Sequence, residues 1–293
     1  MKKIVILGCE NSHANMFLDF MKANDKYSDV EVIGVFSEDS EVAKKFADHY
    51  GVAKMNSYDE AVGKVDGIIV TARHGANHYK YAKPYIESGV PMFIDKPVTV
   101  NGDEAVEFMR ECKKAGVRLT GGSCAVYADI VKQLKSEHEN AVDGKTIGGF
   151  VRAPLNMHNP WGGFYFYTDH LISIMGAIFG KYPKSVKAFV NDNKTNVIVR
   201  YNDFDINTLF FEGNAWTYYA MRVAEQGVKL HEVPVVSDDL YCFKTEFDEF
   251  YRILSGGEQA VSYKDFIATV FILDAINESI ETGKEVAVKE FEV

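Results

Sequence analysis

The first 121 residues alternate short apolar runs with longer amphipathic segments. Apolar runs predict buried strands, and large apolar residues at spacings of three and four predict helices. The predicted strands cover residues 3–7, 30–36, 65–70, 92–94 and 117–120. The predicted helices cover residues 14–21, 41–50, 78–88 and 103–115, and a glycine follows each of the last three. This alternation, without hairpin signals, predicts a doubly wound parallel sheet of the Rossmann type.

After residue 121 strands follow one another with few intervening helices. The predicted strands cover residues 147–153, 185–190, 196–201, 206–212, 215–223 and 228–231, and the helices cover 128–138, 244–254 and 263–282. Polar turns join strands of alternating polarity, as in a mostly antiparallel open sheet with one covered face. The sequence therefore predicts an α/β protein with a dinucleotide-binding domain at 1–121 and a second α/β domain at 122–293.

Composition narrows the classes of function. The chain has 293 residues, of which 47% are hydrophobic and 25% charged, values typical of a folded globular protein. A formal net charge of -10 argues against nucleic acid or a membrane surface as partner and favours a small molecule. The four cysteines are scattered without metal-binding spacing, which indicates no metal site and a reducing, cytoplasmic location.

A charged pair follows the short apolar strand at 92–94. Asp95 and Lys96 leave the carboxyl end of this strand, the edge at which open α/β sheets bind their ligands. Pro97 favours an extended conformation at Lys96 and so directs its side chain. The alternative interpretation is an ordinary lysine in a surface turn.

The turn after the first strand predicts a cofactor loop. It contains Gly8, Glu10, Asn11, Ser12 and His13, with only the first glycine of a G-x-G-x-x-G pattern. Backbone N–H groups and a helix N-terminus hold the pyrophosphate in such loops. Glu10 would repel it unless its carboxylate turns away, whereas Ser12 can donate a hydrogen bond.

Two further segments supply candidate cofactor contacts. Ser37 and Glu38 end the second strand, where a carboxylate takes the ribose hydroxyls, so Glu38 favours NAD over NADP. His74 and His78 are four residues apart, which permits a metal pair. The absence of a third ligand favours positions at a pocket mouth or a helix start instead.

Several of these parts together resemble the glucose-fructose oxidoreductase, inositol dehydrogenase and MocA (Gfo/Idh/MocA) family. They are Gly8 after the first strand, the third strand with Thr71, the helix at 78–88, the Asp95-Lys96-Pro97 triplet and a histidine segment at 169–180. The resemblance covers nearly the whole chain. It implies a nucleotide-binding domain followed by a domain with a large open sheet.

The resemblance also implies roles for individual residues. Lys96 corresponds to the family's lysine, which polarises the reacting hydroxyl or carbonyl, and His170 to its proton donor or acceptor. Thr71, His74, His78 and Asp95 fall among the family's cofactor contacts, and an aspartate often found four residues before the histidine is Phe166 here. The remaining candidate substrate contacts are Tyr127, His158, Trp161 and Asp169, of which His158 and Trp161 lie on a long predicted loop.

These observations predict an NAD(P)-dependent oxidoreductase acting on a hydroxyl-bearing carbon of a sugar, cyclitol or related polyol. One alternative is an enzyme of the same family that cleaves glycosidic bonds through transient oxidation. The other is a binding or sensory protein that keeps the fold without catalysis. The resemblance further implies a homodimer or homotetramer formed through the open face of the second sheet.

Overall fold

The computed structural model describes residues 1–212, 217–237 and 239–293. The chain forms two compact units: the first contains residues 1–122, 243–266 and 293, and the second contains residues 123–242 and 267–292. The first boundary falls one residue beyond the predicted boundary. Over the described ranges, every helix is too short or too polar to cross a membrane.

The first unit is built on a five-stranded parallel sheet with the order β2-β1-β3-β4-β5. Its strands are β1 (Lys2–Leu7), β2 (Val30–Phe36), β3 (Gly67–Val70), β4 (Met92–Asp95) and β5 (Leu119–Gly122). At the outer edge of the sheet, the N–H of Val35 donates to Ala53 O and its carbonyl oxygen accepts from Met55 N. These two hydrogen bonds form an isolated β-bridge beside β2. The prediction of a doubly wound parallel sheet is confirmed.

Four helices connect these strands, namely α1 (Ser12–Ala23), α2 (Ser40–Tyr50), α3 (Ala76–Ala82) and α4 (Gly102–Ala115). The helix predicted at 78–88 is divided, because α3 continues as a 3₁₀ helix over Lys83–Ser88. Pro84 stands at this change and has no N–H with which to continue an α-helical ladder. The other predicted helices end within two residues of their predicted last residues. Most of them begin one to three residues earlier than predicted.

The second unit contains a seven-stranded sheet with the order β11-β10-β6-β9-β8-β7-β12. Its strands are β6 (Thr146–Leu155), β7 (Ser185–Asn191), β8 (Lys194–Arg200), β9 (Asp205–Glu212), β10 (Tyr218–Ala224), β11 (Gly227–Val233) and β12 (Glu285–Ala287). Among the described residues of this sheet, only β6 and β9 pair in parallel, which confirms a mostly antiparallel sheet. The start of the strand predicted at 215–223 lies outside the described residues.

The second unit contains α5 (Asp129–Glu139), α6 (Phe164–Phe179) and, from Ile267 onwards, α8 (Tyr263–Thr282), which has the predicted bounds. Helix α6 lies against β6 and β10. Its mainly apolar sequence fits this position, since 13 of its 16 residues are buried. The covered face of the sheet therefore carries the helix that contains His170.

Helix α7 (Tyr241–Leu254) corrects the predicted domain organisation. From Phe243 onwards it belongs to the first unit, although the sequence assigned it to the second. The reason is its apolar face, where Phe247 stacks on Phe17 at 5.1 Å and packs edge-on against Tyr27 at 5.0 Å. At the same helix Asp248 accepts a hydrogen bond of 2.6 Å from the Tyr27 hydroxyl. Burial of these rings holds a late segment of the chain against an early domain.

Phe247→Ala tests this packing. Phe247 is 1% exposed, so removal of its ring leaves a cavity among aromatic neighbours. We expect a loss of about 3–5 kcal/mol in the free energy of unfolding, measured by urea denaturation. Tyr241→Ala is the control, because that residue of the same helix is 39% exposed and should cost about 0.5 kcal/mol or less. Equal costs for the two variants would contradict the described packing.

Candidate active site

The turn after β1 lies directly against the end of β3. Gly8 has φ of +97°, and a Cβ on this residue would overlap the backbone N of Ala72. The hydroxyl of Thr71 donates to the carbonyl oxygen of Gly8 over 3.0 Å. Only glycine fits both the conformation and the close approach. Thr71 is fully buried, so it supports the turn from within and has no surface for the predicted cofactor contact.

The loop that follows Gly8 fits a pyrophosphate. Glu10 turns towards the loop after β3, because its Oε1 accepts a hydrogen bond of 3.1 Å from the N–H of Arg73 and its Oε2 is buried. Asn11 caps α1 and Ser12 is exposed at the helix start. The first turn of α1 contains no acidic residue. The positive end of the helix dipole, the Gly8 turn and the Ser12 hydroxyl thus form a suitable phosphate site.

A buried carboxylate joins this loop to β4. Asp95 is 0% exposed, and its Oδ2 accepts a 3.0 Å hydrogen bond from Asn11 Nδ2. His13 Nδ1 lies 2.9 Å from the same oxygen, at ion-pair distance but without the direction of a hydrogen bond. The backbone N–H of Lys96 donates to Oδ1 over 2.7 Å. Burial alone would raise the pKa of Asp95, but the charge of the neighbouring His13 ring lowers it to about 2.

Lys96 is 5% exposed at the end of β4, which excludes the interpretation as a surface-turn lysine. His78 lies close by and is fully buried, with Nε2 2.7 Å from Ala72 O and Nδ1 2.8 Å from Pro97 O. Burial lowers the pKa of His78 below its ordinary value, while the charge of Asp95 opposes that shift. His78 therefore connects the segments that follow β3 and β4. The prediction that it contacts the cofactor directly is wrong, because its side chain has no accessible surface.

His74 occupies the start of α3, one of the two positions expected for it. Its Nδ1 accepts a hydrogen bond of 3.2 Å from the N–H of Ala76. The ring is half-buried, so one edge is still accessible to a ligand. His74 and His78 thus differ in role although both belong to the segment after β3.

An exposed carboxylate, that of Glu38, follows the end of β2. Ser37 is buried, and its hydroxyl accepts a hydrogen bond of 3.2 Å from Asp39 N. Glu38 is exposed and lies 2.8 Å from Nζ of Lys80, whose hydrogen bond lowers the pKa of the Glu38 carboxyl. Lys80 belongs to α3, 42 positions further along the chain, so the local sequence around Glu38 carried no signal for it.

In the second unit His170 is held by a serine. The ring is 7% exposed, and its Nδ1 lies 2.7 Å from the hydroxyl oxygen of Ser123. That oxygen also accepts a 3.3 Å hydrogen bond from Ala125 N. The hydroxyl can donate to Nδ1 or accept from Nδ1–H, depending on the tautomer of the ring. Ser123 was not predicted as a site residue, because its partner is 47 positions away.

The other predicted substrate contacts differ in exposure. Asp169 is 2% exposed and accepts a 3.1 Å hydrogen bond from the Ser173 hydroxyl within α6, so it points away from an accessible surface. Tyr127 and Trp161 are half-buried, and His158 is exposed. Phe166 packs on the Trp161 ring at 5.7 Å. Tyr127, His158 and Trp161 have surface to offer a ligand, whereas the placement of Asp169 corrects that part of the prediction.

The five-stranded parallel sheet and the Gly8 turn are typical of dinucleotide-binding proteins of the Rossmann class. Residues 2–123 match the family model GFO_IDH_MocA, described as an oxidoreductase family with an NAD-binding Rossmann fold. This part of the chain matches the NAD-binding domain of the Gfo/Idh/MocA oxidoreductases, and NAD is the cofactor of that fold. Both the resemblance and the cofactor prediction are confirmed.

Individual proteins resemble the chain over different lengths. Oxidoreductase P35 of Formosa agariphila is 22% identical over 218 residues, and the match spans 65% of each protein. The myo-inositol 2-dehydrogenase of Lactobacillus plantarum superposes with a TM-score of 0.82 at 15% identity, over 98% of this chain and 99% of that one. An oxidoreductase of Agrobacterium radiobacter, solved with NAD⁺, L-tartaric acid and magnesium, gives 0.76 at 15% identity over 98% of both chains. These structural similarities establish the fold.

Asp95→Asn tests the buried carboxylate. Because the folded pKa is lowered, Asp95 stabilises the protein above its ordinary pKa of 3.8, and this contribution is lost as the pH falls towards about 2. We expect the variant to lose roughly 2 kcal/mol of unfolding free energy near pH 7, with a difference that narrows below about pH 4. Urea denaturation at several pH values measures this. A pH-independent difference, like that expected for exposed Asp48→Asn, would contradict an ionised Asp95.

Proposed function

We propose that the protein is an NAD(P)-dependent oxidoreductase that transfers hydride between a nicotinamide and a hydroxyl-bearing carbon of a sugar, cyclitol or related polyol. The observation that carries this proposal is the buried Asp95–Lys96 pair at the carboxyl end of β4, beside the Gly8 turn. A buried cation at this edge of a parallel sheet is costly unless it serves a ligand or a charge partner.

Lys96 would support the negative charge that develops on the substrate oxygen. A fixed cation in a site with little water stabilises such charge far more strongly than a solvated one. The ionised Asp95 keeps a counter-charge next to it, and the hydrogen bond of Asp95 to the Lys96 N–H fixes the backbone. When bound, NAD⁺ would accept the hydride and NADH would donate it.

His170 would move the hydroxyl proton. An imidazole suits this role because its ordinary pKa lies close to neutral pH. Ser123 holds Nδ1, so Nε2 is the atom that exchanges the proton with the substrate. The Ser123 hydroxyl can also rotate to accept from Nδ1–H, which lets it remain bonded to the ring in either protonation state.

The substrate class is supported by the related dehydrogenase and by the ligand of the second related structure. The Lactobacillus plantarum protein is a myo-inositol 2-dehydrogenase, and the Agrobacterium radiobacter structure contains L-tartaric acid. Both compounds present a hydroxyl on a secondary carbon. We extend this chemistry to the present chain as a substrate with several hydroxyl groups.

NAD is the expected cofactor, and NADP is compatible with the same site. Glu38 offers a carboxylate for the two ribose hydroxyls. Lys80, which pairs with Glu38 at 2.8 Å, is a cation that a 2′-phosphate would meet. The carboxylate favours NAD, since a phosphate has to displace Glu38 from Lys80 before binding to it.

The uncovered face of the second sheet would form a homo-oligomer interface. In the register of β10 and β11, Met221 lies opposite Leu230 and Val223 opposite Val228. Leu230 and Val228 are 58% and 60% exposed, whereas Arg222 on the other face is buried. Apolar side chains in one exposed row are typical of a surface that binds a protein partner. The partner would be a second copy of this chain, in a dimer or tetramer.

Lys96→Ala tests the proposed chemistry. With NAD and a panel that includes myo-inositol, scyllo-inositol and aldoses, we expect kcat to fall about a hundredfold or more while KM for NAD changes little. NADH formation followed by absorbance measures both quantities. Lys114→Ala, which removes an exposed lysine of α4, is the control and should keep its turnover number. Wild-type turnover in Lys96→Ala would overturn the role of this residue.

Leu230→Glu tests the proposed interface. A carboxylate in the centre of a buried apolar contact lacks a partner, so we expect the variant to be monomeric. Light scattering coupled to size-exclusion chromatography gives the mass of wild type and variant. Lys229→Glu, a charge change at the neighbouring position on the opposite side of the strand, is the control. A monomeric wild type would contradict the interface.

A further inference from the structure

Glu246 is a buried acid with no assigned role. It lies in α7 and is 0% exposed. Neither of its carboxyl oxygens has a hydrogen-bond partner among the described residues. Buried acids are nearly always hydrogen-bonded or paired, and a carboxyl that is neither calls for an explanation.

The direction of Glu246 follows from its neighbours on the helix. Positions 243, 246 and 250 share one helical face. On that face the Phe243 ring packs edge-on against His13 at 5.1 Å, and the Phe250 ring lies 6.4 Å from that of Phe93. Phe93 stands two residues before Asp95 on β4. Glu246, between these two contacts, therefore faces the carboxyl end of β4.

The charges around Glu246 belong to the same site. Burial raises the pKa of Glu246 well above its ordinary value, the negative charge of Asp95 raises it further, and Lys96 opposes both. His13 and His78 act in turn on Asp95, whose pKa is lowered. Two carboxyl groups in one buried site avoid a second negative charge when one of them stays protonated. Asp95 carries the charge, and Glu246 holds the proton.

We propose that Glu246 is a positioning residue for Lys96. As a neutral acid it adds no negative charge of its own beside the Lys96 ammonium. When Glu246 ionises in alkaline solution, its carboxylate attracts the ammonium and draws it away from a substrate oxygen. This inference rests on the proposed function of Lys96, but its electrostatic part can be measured without a substrate.

The first experiment follows thermal unfolding with pH for wild type and Glu246→Gln. The raised folded pKa of Glu246 means that its stabilising effect is present in acid and is lost as the pH rises, because the unfolded carboxyl ionises first. The Tm of Glu246→Gln relative to wild type should therefore increase between about pH 5 and pH 8. Glu249→Gln, in the same helix but partly exposed, should run parallel to wild type. A parallel curve for Glu246→Gln would overturn the proposal.

The second experiment connects Glu246 to Lys96 by repeating the comparison in a Lys96→Met background. Loss of the ammonium removes the charge that favours ionised Glu246, so the pH-dependent difference between Glu and Gln at position 246 should become larger. The same difference with and without Lys96 would show that the two residues are independent, and the proposal would fail.

The third experiment separates this inference from the proposed function. With NAD and myo-inositol or the best substrate of the panel, wild-type kcat should fall in alkaline solution, and Glu246→Gln should lose that fall while its KM for NAD is unchanged. An unaltered pH profile in the variant would refute the positioning role. If wild type reduces no NAD with any substrate, the proposed function fails, and the unfolding experiments still decide whether Glu246 is coupled to Lys96.

Discussion

The ionised, fully buried Asp95 holds the candidate site together. One of its oxygens accepts a hydrogen bond from the Asn11 side chain and lies at ion-pair distance from His13. The other oxygen accepts a hydrogen bond from the backbone N–H of Lys96. A buried carboxylate without such partners would be protonated or would destabilise the fold. Because Asn11 and His13 belong to the loop and first turn after β1, the same charge also fixes the cofactor loop on β4. The proposed phosphate site and Lys96 are thus coupled through the Asp95 carboxylate.

The two units contribute chemistry of different kinds. In the first unit Lys96 is a cation kept next to a fixed negative charge, which suits stabilisation of an oxyanion. In the second unit the His170 ring is held by the Ser123 hydroxyl, and an imidazole suits proton transfer. Phe166 occupies the position where the family often has an aspartate, and it packs on Trp161 instead. In this chain the Ser123 hydroxyl lies against Nδ1 of the imidazole and orients the ring.

The sequence predicts the parts of the structure that depend on local pattern. Apolar runs and helical spacing identify both sheets, because burial of one face imposes a period of two or of about 3.6 residues. Asp95 and Lys96 could be predicted as site residues, because packing does not explain an acid and a base at the end of a buried strand. Ser123, Lys80 and Glu246 were missed, because each acquires its role from residues distant in sequence. A glutamate inside an amphipathic helix is ordinarily solvated, and only the packing of α7 reveals that Glu246 is buried.

The most direct test of the account is calorimetric titration of the wild-type protein with NAD, NADH, NADP and NADPH. The Gly8 turn, the uncharged start of α1 and Glu38 predict binding of NADH at micromolar concentration, more tightly than NADPH. The heat of binding should be lost in Gly8→Val, whose side chain cannot occupy the turn. If none of the four nucleotides binds below millimolar concentration, the loop does not hold a dinucleotide and the proposed oxidoreductase function is wrong.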